Sequence, residues 1–130
     1  MSDKKKIFLV EDDDRLLQLY HQLLDADGYQ VETCNNGLEA LAKMQEGGFD
    51  LVLLDIMLPG KDGLEILEAL QNKKPKNPIK SIILLTNLAK NETIARALKN
   101  GVDGYIIKSR YSPEEFLAEV KKTLTAKDAA

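Results

Sequence analysis

Tryptophan is missing from this 130-residue sequence, and histidine and cysteine occur once each, as His21 and Cys34. A single cysteine excludes an internal disulfide, and one histidine with one cysteine leaves no nitrogen and sulfur set for a transition metal. No apolar run is long enough to span a bilayer, and none follows the basic start Lys4 to Lys6 as a signal peptide requires. The expectation is therefore a cytoplasmic chain without a membrane partner. Positive charge is in deficit: 18 basic against 21 acidic residues give a net charge of −3. That balance argues against a general nucleic-acid surface, so no direct nucleic-acid partner is expected. The only dense basic patches, Lys4 to Lys6 and Lys73, Lys74 and Lys76, read as solvated ends and loops. There is no internal repeat or low-complexity tract. His21, beside Tyr20 and Leu24, reads as a surface histidine.

What is present is an alternation of short apolar runs with amphipathic segments, the pattern of repeated βα units. The length suits one domain, 1–130, with a core over about 6–124 and short tails. The first strand, Lys6 to Val10, leads to a helix with the stripe Leu16, Leu17, Tyr20, Leu23 and Leu24, closed at Gly28. Tyr29 to Cys34 alternates apolar and polar residues and is expected at a sheet edge. A helix from Asn36 and Gly37 carries Leu38, Leu41 and Met44. Leu51 to Leu54, apolar at every position, is the best central strand. Past the loop Ile56 to Gly63, a helix is marked by Leu64, Leu67 and Leu70. Lys73 to Pro78 forms a solvated turn before the strand Ile82 to Leu85. A helix with Ile94, Ala95, Ala97 and Leu98 ends at Gly101, and Tyr105 to Ile107 is the last strand. Ser112, Pro113 and Glu115 mark a capped helix start, with Phe116, Leu117, Val120 and Leu124 facing the core. Lys127 to Ala130 is expected to fray. Residues alone support a doubly wound α/β fold.

Four places follow apolar strands directly: Glu11 and Asp12, Asp55, Thr86 and Lys108. In an open parallel sheet the strand ends of one polarity share an edge, where such sheets place their sites. Three carboxylates, a hydroxyl and an ammonium therefore converge. Clustered carboxylates repel unless a cation neutralises them, and oxygen donors alone favour Mg²⁺. The residues thus describe a magnesium-dependent phosphoryl-accepting pocket centred on Asp55. Asp13 and Asp14 are assigned to the helix start, where they complement its dipole. Asp55 is poorly placed as a helix cap, because Pro59 and Gly60 postpone the next helix.

The segments Val10-Glu11-Asp12-Asp13, Leu54 to Gly63 (LDIMLPGKDG), Leu85-Thr86 and Ile107-Lys108, in this order and spacing, resemble a receiver domain of a two-component response regulator of the single-domain, CheY-like kind. The resemblance covers Lys6 to about Leu124. It implies a flavodoxin-like, three-layer α/β/α fold, with a five-stranded parallel sheet of order 2-1-3-4-5 and five helices.

It also implies roles. Asp55 would be the phosphoacceptor, taking the phosphoryl group of a histidine kinase or histidine phosphotransfer protein; beyond self-phosphorylation and slow self-dephosphorylation, no enzyme activity is expected. Mg²⁺, or Mn²⁺ in its place, would be held by Asp12, Asp55 and the backbone carbonyl of Met57, with Glu11 acting through water. Lys108 would pair with Asp55 at rest and with a phosphoryl oxygen afterwards, Thr86 would bond a second oxygen, and the backbone N–H of Asn87 the third. Thr86 and Tyr105 would form a switch. It would reshape the surface of the fourth helix, fifth strand and fifth helix, about Leu88 to Asn100, Gly104 to Ile107 and Pro113 to Leu124, for a downstream protein or a second copy.

Other functions fit less well. An aspartate-nucleophile phosphatase would carry a second Asp two positions on, where Met57 stands. A flavin- or dinucleotide-binding module would need a phosphate-cradling turn after the first strand, where the acids Glu11 to Asp14 stand. A degenerate receiver acting only as a binding module would lack competent pocket residues, which are all kept. Two departures from the family pattern remain. Asn87 stands at a position that is usually small, and Ser109 replaces a proline usually joined to the lysine by a cis peptide. A cis Lys108–Ser109 peptide is the expectation, as the means of aiming Lys108 into the pocket.

Overall fold

A computed structural model of the chain describes residues 4–87 and 91–128. Five strands and five helices alternate: β1 (Lys6–Val10), α1 (Asp14–Ala26), β2 (Gln30–Cys34), α2 (Gly37–Glu46), β3 (Leu51–Asp55), α3 (Gly63–Asn72), β4 (Ile82–Thr86), α4 (Asn91–Lys99), β5 (Gly104–Ile107) and α5 (Pro113–Asp128). A single 3₁₀ turn, Lys108–Arg110, joins β5 to α5. All strand pairs are parallel and the sheet order is β2-β1-β3-β4-β5, the expected flavodoxin-like arrangement.

Side chains of successive strand residues point to opposite faces, and the core divides accordingly. Phe8, Val10, Val52, Leu54 and Leu84 pack with Ala40 and Met44 of α2, Ile66, Leu67 and Leu70 of α3, and Ala97 of α4. Ile7, Leu9, Leu51, Leu53, Ile83, Leu85 and Ile106 pack with Tyr20 and Leu24 of α1 and with Phe116, Val120 and Leu124 of α5. The sheet is thus covered on both faces, and the uninterrupted burial of β3 follows from its central place. β2 lies at the edge with alternating exposure, as its sequence implies.

Helix starts obey local chemistry. Asp13 caps α1 by accepting the N–H groups of Arg15 and Leu16, and Ser112 and Glu115 form a reciprocal capping box on α5. A second box, Asp62 with Glu65, opens α3; its D-x-x-E spacing is visible in the sequence but was not among the expected caps.

Three expectations change. Lys127 and Asp128, expected to fray, belong to α5, which continues through Asp128; Ala129 and Ala130 lie outside the described residues. Leu38 does not join Leu41 and Met44 inside: at the first turn of α2 it faces out and covers Gly60, while Ala40 takes the buried position. Among the described side chains of α4 only Ala97 is buried; Ile94 is half-buried, and Ala95 and Leu98 are exposed.

Candidate functional site at the carboxyl ends of the strands

Strand register assembles the site. Val10 pairs with Leu54 and Asp55 with Leu85, so Glu11, one residue past Val10, stands beside Asp55. Thr86 pairs with Ile107, which brings Lys108 to the same edge. Residues separated by as many as 97 positions in the chain thereby meet. Oxygen atoms of Glu11, Asp12 and Asp55 lie within 4.8 Å of one another. They line a cavity of about 340 Å³ together with Asp13, Leu16, Met57, Thr86, Asn87 and Lys108. All the expected site residues except Tyr105 reach it; Asp13 and Leu16, expected only as a helix-start acid and a core residue, border it as well.

Burial is uneven within the cluster. Glu11 is fully buried, Asp55 and Thr86 nearly so, and Asp12 is exposed. Lys108 Nζ donates to Glu11 Oε1 at 2.8 Å and to Asp55 Oδ2 at 3.1 Å. The family resemblance implied Asp55 as its partner; the shorter bond goes to Glu11, another carboxylate at the same edge. The other oxygens are also held: Asp13 N–H donates to Glu11 Oε2 at 3.1 Å, and Met57 N–H donates to Asp55 Oδ1 at 3.2 Å. Both buried carboxylates are fixed in orientation before any ligand arrives.

Electrostatics follow from three acids around one ammonium. Burial, and then the hydrogen bond and charge of Glu11, push the Asp55 carboxyl up to about 7, against the opposing pull of Lys108. Burial works against the Lys108 ammonium, but its contacts with Glu11 and Asp55 outweigh that and hold its pKa above the ordinary value. An excess of negative charge on oxygen donors, one of them solvent-accessible, fits a hard divalent cation such as Mg²⁺ or Mn²⁺.

The Lys108–Ser109 peptide corrects an expectation. No cis peptide occurs among the described residues, so this bond is trans. Without proline the cis isomer costs about 3 kcal/mol, and Lys108 reaches both carboxylates from the trans chain at the start of the 3₁₀ turn.

The loop after Asp55 is closed by a glycine. Gly63 N–H donates to Ile56 O at 2.8 Å, and a Cβ on Gly63 would fall 2.6 Å from the Asp55 carbonyl oxygen. Only a residue without a side chain lets α3 begin so close to β3. Tyr105 stands apart from the cavity on the edge strand β5, in register with Leu84, and is 44% exposed. Of the expected output surface, Leu88 to Lys90 lie outside the described residues. No described helix is long and apolar enough to cross a membrane.

Comparison with known proteins gives a consistent result. The family model "Response regulator receiver domain" matches residues 7–121. The chain is 35% identical to the transcriptional regulatory protein ResD of Bacillus subtilis (strain 168), over 95% of this chain and 49% of the relative. It is 38% identical to the alkaline phosphatase synthesis transcriptional regulatory protein PhoP of the same organism, over 97% of this chain and 51% of the relative. The chain therefore spans about half the length of these curated relatives. Among solved structures, a CheY-like response regulator receiver domain protein from Methanospirillum hungatei JF-1 superposes with a TM-score of 0.86 at 33% identity, covering 98% of both chains.

Proposed function

The chain belongs to the response regulator receiver domain family, and on that premise we propose that it is a phosphoryl-accepting switch whose acceptor is Asp55. The observation that carries this reading is the placement of the Asp55 carboxylate, oriented through both oxygens, in a cavity that also holds Glu11, Asp12, Thr86 and Lys108. The donor would be the phosphohistidine of a histidine kinase or histidine phosphotransfer protein.

In the reaction a carboxylate oxygen of Asp55 attacks phosphorus, the P–N bond breaks, and the imidazole leaves with that electron pair. The product is an acyl phosphate on Asp55. Phosphoryl transfer passes through a loose, charge-spread transition state, so positioning and charge neutralisation are what the protein must supply. Met57 N–H keeps one carboxylate oxygen in place. Lys108 transfers part of its hold from Asp55 to a phosphoryl oxygen while Glu11 retains it. Thr86 donates its hydroxyl to a second phosphoryl oxygen, and the Asn87 N–H serves the third. Asp12, Asp55 and the Met57 carbonyl would hold Mg²⁺ directly, and Glu11, fully buried and in the shorter contact with Lys108, would act through water. Bound Mg²⁺ supplies neutralising charge, which keeps Asp55 ionised and screens the incoming phosphoryl group.

Output would pass through Thr86 and Tyr105 to the face formed by α4, β5 and α5, where a downstream protein or a second copy binds. A test of the acceptor is intact-mass measurement after incubation with Mg²⁺ and acetyl phosphate. One phosphoryl mass, lost at alkaline pH and absent from Asp55→Asn, is expected; labelling of that variant equal to the parent would exclude Asp55.

A further inference from the structure

At the opposite end of β4 from Thr86 lies a groove that phosphoryl chemistry does not use. Its volume is about 380 Å³, and its apolar lining comes from Leu67 and Leu70 of α3, Pro75 and Pro78 of the intervening turn, and Ile79 and Ile82 leading into β4. Gln71 closes one side by donating to the Asn100 carbonyl at 2.9 Å, which ties the end of α3 to the end of α4.

The turn forming the other wall is not a loose loop. Lys76 N–H donates to Gln45 O at 2.8 Å, Asn77 N–H to Glu46 O at 3.0 Å, and Asn77 Nδ2 to the same carbonyl at 3.1 Å. Gly47 pairs with Asn77 in a parallel bridge. With two prolines beside these bonds, the wall is rigid before any partner arrives, and a preformed wall lowers the ordering cost of binding.

Charge around the groove is unbalanced. Of the nearby acids, Glu68 meets Arg96, Glu46 meets Lys76 and Asp50 meets Lys80, while Asp103 accepts the Ile82 N–H at 2.8 Å. Lys74 lines the groove, Lys73 and Lys99 are the chain neighbours of its lining residues Lys74 and Asn100, and all three are exposed with no ion-pair partner among the described residues. An apolar trough bordered by unmatched ammonium groups is complementary to a chain segment that carries both apolar anchors and carboxylates. A polyanion without apolar groups would leave the trough unfilled. We propose that this groove is a docking site for an acidic peptide segment with apolar anchors, carried by a partner protein.

The probe is a short synthetic peptide alternating leucine and glutamate, titrated into the ¹⁵N-labelled chain. It should move the amides of Gln71, Lys74, Ile79 and Gly101, and bind about tenfold tighter than a leucine–lysine or an all-glutamate peptide. Reversing the rim with Lys73→Glu and Lys74→Glu should weaken it by about tenfold while leaving acetyl phosphate labelling of Asp55 intact. Equal binding of the all-glutamate peptide or of a single-stranded oligonucleotide, shifts centred on another face, or indifference to the charge reversal would each overturn the proposal. Movement of the same amides with protein concentration alone would overturn it in favour of a second copy.

Discussion

The Lys108 ammonium lies closer to Glu11, at 2.8 Å, than to Asp55, at 3.1 Å, and both carboxylates are buried. One cation therefore serves two anions, and the carboxylate in shorter contact is not the one proposed to react. Lys108 can follow a phosphoryl group on Asp55 without leaving its tighter partner. Burial first, and then the neighbouring Glu11, raise the Asp55 pKa, and the shared Lys108 offsets this only in part.

The first prediction concerns stability without metal. The folded-state pKa of Asp55, about 7, lies above its unfolded value near 4. The folded protein therefore binds this proton more tightly, and the group's contribution is full below about pH 4 and lost as pH rises to about 7. Asp55→Asn removes the buried charge. In EDTA it should stabilise the protein at pH 8 by about 2 to 4 kcal/mol and have little effect at pH 4. Urea unfolding at the two pH values measures this; an equal effect at both would contradict it.

Metal binding should carry the opposite dependence. A cation needs Asp55 ionised, so the apparent Mg²⁺ affinity should fall about tenfold between pH 8 and pH 6, with proton uptake by the metal-free site. Asp12→Asn should weaken binding more than Glu11→Gln, since Asp12 is the exposed ligand and Glu11 is occupied by Lys108 and the Asp13 N–H. Calorimetric titration of both variants decides the order, and equal losses would remove the distinction.

Gly63→Ala should damage the site from behind. The added methyl falls 2.6 Å from the Asp55 carbonyl oxygen and 2.9 Å from Ile56 Cα, both backbone atoms that cannot turn aside. A loss of about 1 to 3 kcal/mol is expected from the forced shift, with slower acetyl phosphate labelling under conditions where the variant is folded. Parent-like stability and labelling would show that the β3–α3 loop yields freely.

The switch can be followed with beryllofluoride, which stands in for the phosphoryl group on Asp55. Tyr105 is outward and 44% exposed in the resting chain. The added group can shift that equilibrium only by favouring the inward state, so Tyr105 and α4 amides should move together on binding, and Thr86→Ala should uncouple them. NMR shifts confined to the residues around Asp55 would exclude the coupling.

Much of this architecture was legible in the sequence because period and position coincide. The four-residue apolar run before Asp55 could only be buried on both faces, and that placed β3 at the centre. Ser112, Pro113 and Glu115 announced α5 through short-range capping chemistry. Long-range geometry was less accessible. The Glu11–Lys108 bond depends on how far two side chains reach across an edge, and the exposure of Leu38 depends on Gly60 beneath it. The Lys108–Ser109 peptide was misjudged because a habit of proline was carried to serine, which has no such preference.

The bonded turn between α3 and β4 has a further effect, on proteolysis. Lys73, Lys74 and Lys76 make Lys73–Pro78 the most basic loop in the described chain, and exposed basic loops invite nicking. Yet Lys74 precedes Pro75, a poor substrate for trypsin, and the peptide after Lys76 belongs to a residue bonded through both backbone and side chain to the end of α2. A protease must draw its substrate into an extended strand, and here that means unzipping the turn from its neighbour first. The bonds after Lys74 and Lys76 are thereby shielded, which leaves Lys73–Lys74 as the peptide of this turn open to cleavage.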